Sequence, residues 1–208
     1  MGTKPASEVR ALMKIGRTRA STAPETAAEA AAWLAELITA LELSRPIVLG
    51  HSFGGAVALE LGFAKRVDVG ALVLVSSGAR LRVASVILDA AAKATADAPL
   101  PLGFAFGSDT DRGVVEAYGE LAGQTPPDAT LADWQACDGF DRLTALGELD
   151  ARVLVVHGDR DQLTPVKYQR KLEQAIAGAE RVEVAGAGHM LPWERPRELA
   201  EAVRAALG

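Results

Sequence analysis

Four short β-prone runs limit what this chain can become: the apolar 47–49, 71–75 and 153–156, and the alternating Arg181-Val182-Glu183-Val184. The second and third contain no polar residue, so strands built from them must be covered on both faces. Helix-length segments separate the runs. One helix is expected from Pro24-Glu25 to about Leu41, with Trp33, Leu34, Leu37, Ile38 and Leu41 as its apolar stripe. Others are expected from Phe53 to about Lys65, around 165–177 and over 196–207, the last two opened by a first-turn proline. Strand and helix in alternation imply an α/β fold, a mostly parallel sheet flanked by helices.

In such a sheet the loops after the strands emerge together at the carboxyl edge, where active sites of α/β proteins collect. Gly50-His51-Ser52-Phe53-Gly54-Gly55 lies between a strand-prone run and the helix-prone Ala56-Val57-Ala58-Leu59. A sharp strand-to-helix turn holds a serine hydroxyl proud of the sheet. Flanking glycines, Gly50 and Gly54 in the Gly-x-Ser-x-Gly pattern, spare the strained turn a Cβ that would strike the neighbouring strand or helix. The pattern alone also fits an ordinary connection or a phosphate-binding loop. It lacks, however, the Lys-Ser/Thr pair of one nucleotide motif and the Gly-x-Gly-x-x-Gly spacing of the other.

Two later loops supply partners. Gly158-Asp159-Arg160-Asp161 follows one strand, and Gly186-Ala187-Gly188-His189 follows the next. Ser52 is a poor nucleophile until a base removes its proton, and His189 is the histidine on a late glycine-rich loop. That base needs a carboxylate to fix its tautomer and offset its charge, with Asp161 and Asp159 both at hand. The Phe53 N–H, at the start of a helix, is placed to donate to an oxyanion. His157 ends its strand and reads as structural; His51 flanks the nucleophile and reads as shaping the pocket. Trp193 and Glu194 read as a hydrophobic anchor and a helix-terminal charge.

Together, Gly50 to Gly55, His157-Gly158-Asp159-Arg160-Asp161, Gly186-Ala187-Gly188-His189-Met190 and Pro192-Trp193-Glu194-Arg195-Pro196 resemble the α/β-hydrolase superfamily. The resemblance runs from about Glu25 to the C-terminus, apart from a divergent middle. It implies an α/β-hydrolase-like fold and a Ser52–Asp161–His189 triad, Asp161 standing at the fourth position of a Gly-x-x-Asp turn. It also implies a serine hydrolase acting on a small-molecule ester through an acyl-enzyme, with no cofactor and no metal. Between about residues 78 and 146 no strand is evident, and Pro99, Pro101, Pro126 and Pro127 break Ala-rich helical stretches. Family members carry a helical lid at this place. A single domain over 1–208 is expected, with an irregular segment at 1–21.

The front departs from the family pattern. No His-Gly loop, which carries the second oxyanion donor, is found before Ser52. Residues 9–13 and 15–21 match that strand and turn poorly, and a short amphipathic helix fits 6–15 equally well. An N-terminally shortened sheet leaves the strand at 47–49 as an exposed apolar edge, a template for a homodimer. Losing one oxyanion donor costs about 10²–10³ in rate. The competing expectation is therefore a truncated or non-catalytic homologue.

The net charge of −5, with no basic block, argues against a nucleic-acid partner. Cys137 is alone, so neither an intramolecular disulfide nor a cysteine metal cluster is expected, and the cytoplasm is the default compartment. The N-terminus lacks the apolar core of a signal peptide, and no run approaches the roughly 18 apolar residues of a membrane span, so no membrane partner is expected.

Overall fold

The computed structural model describes residues 25–208. The expectations for 1–21, including the helix over 6–15 and the His-Gly loop, lie outside the described residues.

Four strands, β1 (Ile47–His51), β2 (Ala71–Val75), β3 (Val153–Gly158) and β4 (Glu180–Val184), pair in parallel in the order β1-β2-β3-β4. Around them lie α1 (Ala27–Ala40), α2 (Phe53–Ala64), α3 (Ser85–Lys93), α4 (Arg112–Ala122), α5 (Pro127–Gly139), α6 (Val166–Ala175), the single turn α7 (Leu191–Glu194) and α8 (Pro196–Leu207). His51 lies beside Val75, Val75 beside Val156, and Gly158 beside Val184. The carboxyl ends are thus level, and the loops after β1, β3 and β4 face one another.

The pleat divides the apolar strands between two layers. Leu72, Leu74, Val153 and Val155 pack with α1, α2 and Leu172 of α6. Val73, Val75, Leu154 and Val156 face the other way, against Leu199, Ala202 and Val203 of α8. Each such side chain fully buried contributes about 1.5–3 kcal/mol, which is why these runs carry no polar residue. On β1 only Val48 joins the first layer. Ile47 and Leu49 face the side where α8 covers β3 and β4, and they stay 45% and 44% exposed. Among the described residues β1 is an outer strand.

The apolar stripe expected for α1 holds in part, at Leu34 and Ile38. The helix buries Ala27, Ala31, Ala35 and Ile38, while Trp33 and Leu41 are 38% and 48% exposed. Alanines four apart make a flat face that lets α1 lie close on α2, with Ile38 and Leu34 on the core side and Trp33 and Leu41 turned outward. The capping residue is Thr26, whose hydroxyl accepts from the Glu29 N–H at 3.2 Å.

Between β2 and β3 the chain forms α3, α4, α5 and two short 3₁₀ turns, with no strand beyond an isolated bridge between Arg80 and Asp141. A bidentate pair fastens this segment to α2: Arg142 Nε and Nη2 donate to Glu60 Oε1 and Oε2 at 2.7 and 2.9 Å.

Candidate active site

Ser52 joins β1 to α2 with φ 52° and ψ −118°, a conformation that side-chain-bearing residues rarely adopt. Its N–H donates to Val75 O at 2.9 Å, and its carbonyl accepts from Gly55 N and Ser77 Oγ at 2.9 and 2.8 Å. The strain is thus held from three directions. A Cβ on Gly50 would lie 2.0 Å from Gly54 O, and one on Gly55 would lie 2.4 Å from Ser77 Oγ. Gly54 departs from the expectation, because a Cβ there meets nothing within 4 Å. The second steric requirement falls on Gly55.

From Ser52 a hydrogen-bonded chain runs inward. Ser52 Oγ lies 2.9 Å from His189 Nε2, and His189 Nδ1 lies 3.0 Å from Asp161 Oδ2. Asp161 Oδ1 accepts from the N–H groups of Leu163 and Thr164 at 2.9 and 2.8 Å, and Oδ2 accepts from Thr164 Oγ1 at 2.7 Å. Burial pushes the Asp161 carboxyl upward, but the His189 hydrogen bond and charge and the Thr164 contacts outweigh it, holding the group below the usual carboxylate value. Asp161 is therefore ionised at neutral pH. Asp159 does not face His189; its carboxylate accepts from Gly186 N at 2.8 Å and braces the histidine loop. The Phe53 N–H stands at the first turn of α2, beside Ser52, where helix N–H groups have no intrahelical partner.

His157 is fully buried, its Nδ1 3.0 Å from Gly158 O and its Nε2 accepting from Arg181 Nη1 at 2.9 Å. It knits β3 to β4, away from Ser52. His51 lines the cavity, and its Nε2 lies 2.8 Å from the His189 carbonyl. Desolvation, then the neighbouring His189 charge, lowers its pKa to about 4; among the described residues, the titratable groups acting on it are His189 and Asp161. Between that value and the roughly 6.5 of an unfolded histidine, the unfolded chain binds a proton that the folded chain does not. Stability must then fall as pH drops through this window. The depressed Asp161 loses its stabilising effect only below the ordinary carboxylate value of about 3.9, outside the window. The urea midpoint should drop between pH 7 and pH 5, and less so in His51→Gln; equal drops would remove His51 as the cause.

Three supporting residues escaped the sequence reading. Thr164 lies three residues after Asp161, a spacing at which an Asp side chain can cap its own turn. Gln169 on α6 donates to Ser77 O at 3.0 Å and to Thr164 Oγ1 at 3.3 Å, linking the elbow to the acid. Glu194, expected to serve as a helix-terminal charge, is buried, and its Oε2 accepts from Gly107 N, Gly188 N and Thr110 Oγ1 at 3.0, 3.0 and 2.7 Å. One carboxylate oxygen thus joins the histidine loop to the segment between β2 and β3. Glu194→Ala would strand those donors and should destabilise the protein by about 2–4 kcal/mol. Glu194→Gln keeps one accepting oxygen and should cost less than about half of that. Urea unfolding of both variants checks the pair, and equal losses would rule out the clamp.

A cavity of about 680 Å³ opens over Ser52 and His189. Its wall is drawn largely from the segment between β2 and β3, including Leu100, Leu102, Tyr118, Leu121 and Trp134. Tyr118 also packs edge-on against Trp193, with ring centroids 5.3 Å apart.

A family model described as the alpha/beta hydrolase family matches residues 10–202. The chain belongs to this family. Among solved structures, a thermophilic esterase is 34% identical with a TM-score of 0.78, the match covering 88% of this chain and 73% of that one. A hydrolase from Pseudomonas aeruginosa PA01 is 25% identical with a TM-score of 0.81, covering 92% and 76%. The enol-lactonase from Burkholderia xenovorans LB400, 23% identical with a TM-score of 0.80 over 92% and 76%, is similar in fold. No curated protein matches the sequence. Membership of the alpha/beta hydrolase family, with an esterase among its structural neighbours, supports a hydrolase. Among its described residues, no helix is long and apolar enough to cross a membrane.

Proposed function

We propose that this α/β-hydrolase is a serine esterase that cleaves a small-molecule ester through a Ser52 acyl-enzyme. The observation that carries the reading is His189, placed between Ser52 Oγ at 2.9 Å and Asp161 Oδ2 at 3.0 Å. Both distances lie within the range for proton transfer and orientation. His189 Nε2 takes the Ser52 proton as Oγ attacks the ester carbonyl. The Phe53 N–H donates to the oxyanion that forms. His189, an imidazolium facing the Asp161 carboxylate, then gives its proton to the leaving alcohol, and the carbon–oxygen bond breaks. A water activated by His189 attacks the acyl-enzyme and releases the acid.

The segment between β2 and β3 acts as a lid over this chemistry. Its support is the cavity wall: Leu100, Leu102, Tyr118, Leu121 and Trp134 present aliphatic and aromatic surface next to Ser52. Such a wall suits an uncharged acyl or alcohol group and excludes water from the acyl-enzyme. The 34% identity to a thermophilic esterase supports the ester as the bond cleaved.

The test is covalent labelling by a fluorophosphonate, read by intact mass, on wild type and Ser52→Ala. Labelling of wild type alone is expected, followed by turnover of short-chain esters. A folded wild type that takes no label would favour the non-catalytic homologue.

A further inference from the structure

His51 and Ser52 are consecutive, and both engage His189. Ser52 Oγ meets the ring Nε2 at 2.9 Å, while the His51 ring Nε2 lies 2.8 Å from the main-chain carbonyl oxygen of His189. A carbonyl oxygen only accepts, so His51 must carry a hydrogen on Nε2, which in the neutral ring leaves Nδ1 bare. The rest of the His189 main chain is also held. Its N–H donates to Ala105 O at 3.0 Å, and the preceding N–H, of Gly188, donates to Glu194 Oε2 at 3.0 Å. Of these ties, the one from His51 alone runs to the segment that carries the nucleophile. It closes a ring in which the strand presenting Oγ also grips the backbone presenting the base.

We infer that His51 is a positioning residue for the hydrolytic reaction, fixing the Ser52–His189 separation through the His189 carbonyl and taking no part in proton transfer. The inference rests on the serine-hydrolase reading of the site. Proton transfer needs the heavy atoms about 2.6–3.2 Å apart, and a displacement of about 1 Å costs on the order of 10²-fold in rate. Electrostatics asks for the same neutral ring. His189 becomes an imidazolium during the reaction, and a second cation in contact with it would oppose that step. Burial and the charge of His189 keep His51 uncharged down to about pH 4, so the ring is neutral where the base works.

Two substitutions separate positioning from pocket-lining. His51→Gln keeps an N–H able to reach the same carbonyl; His51→Leu fills similar space and donates nothing. With a short p-nitrophenyl ester, His51→Leu should lower kcat by about 100-fold with KM within about threefold. His51→Gln should recover most of the lost kcat. A change confined to KM, or equal losses in both variants, would overturn the inference. Should His51→Leu fail to fold, ¹⁵N NMR of the wild-type imidazoles reads the bond directly. A neutral ring protonated at Nε2 is expected at about pH 6; an Nδ1–H tautomer or an imidazolium would overturn it. Failure of the underlying reading looks different: the expected tautomer in a protein that no fluorophosphonate labels.

Discussion

Replacing His189 by alanine should lower kcat toward an ester by about 10⁶-fold while leaving the thermal midpoint close to wild type. The ring is the only described group that touches both Ser52 Oγ and the Asp161 carboxylate, so no other described residue is placed to take over the proton. His51 is the nearest alternative, but its Nε2 is committed to the His189 carbonyl and its pKa is about 4. A base acts well only when its pKa lies near the working pH. The loss should also be non-additive. Once the base is gone Ser52 is only weakly nucleophilic, so the Ser52→Ala/His189→Ala double variant should be about as slow as either single one. Steady-state rates on one ester, with circular dichroism to confirm folding, measure both statements. A loss below about 100-fold would mean that His189 is not the base.

Asp161→Asn should cost about 10⁴-fold in kcat with little change in fold. The Asn oxygen can keep the donors from Leu163 and Thr164, which approach Asp161 Oδ1 at 2.9 and 2.8 Å. Its NH₂ group would then face His189 Nδ1 and force that nitrogen to accept. The hydrogen moves to Nε2, which points at Ser52 Oγ and can no longer receive a proton. The imidazolium also loses its counter-charge. Asp159→Asn is the control: its partner is the Gly186 N–H, which an amide oxygen can still satisfy, and kcat should stay near wild type. If Asp159→Asn proved the more damaging substitution, the acid would be assigned wrongly.

The parts of this site that were legible in the sequence are those that depend on neighbours along the chain. Gly50 to Gly55 announces a strained strand-to-helix turn because it lies between a β-prone run and a helix-prone one. Ala71–Val75 and Val153 to Val156 announce central parallel strands because strands covered on both faces have no use for polar residues. The stripe of α1 departs from expectation at its largest residues for a related reason. Periodicity and side-chain size favoured Trp33 and Leu41, whereas the short distance to α2 selected Ala31 and Ala35. Gly54 was credited with a clash that belongs to Gly55, since the obstacle is Ser77, a residue of a different strand-end loop.

Long-range partners had no local signal. Glu194 looks like an ordinary acid at the start of a helix, and nothing near it in sequence reveals that Gly107 and Thr110 arrive from the middle of the segment between β2 and β3. Gln169 is one polar residue among many on α6, yet it is fully buried between Ser77 and Thr164. The choice between Asp161 and Asp159 turned on which carboxylate the turn directs at His189, and two residues of separation place them on opposite sides of the loop.

By itself, then, the sequence determined the α/β architecture, the strained elbow at Ser52 and the chain order of serine, acid and histidine, because strand burial, turn strain and helix capping are properties of short segments. Tertiary structure decided which acid meets the histidine, which glycine is sterically required, and what holds the histidine loop in place. Those depend on distances between residues far apart in the chain, and only the packed sheet sets them.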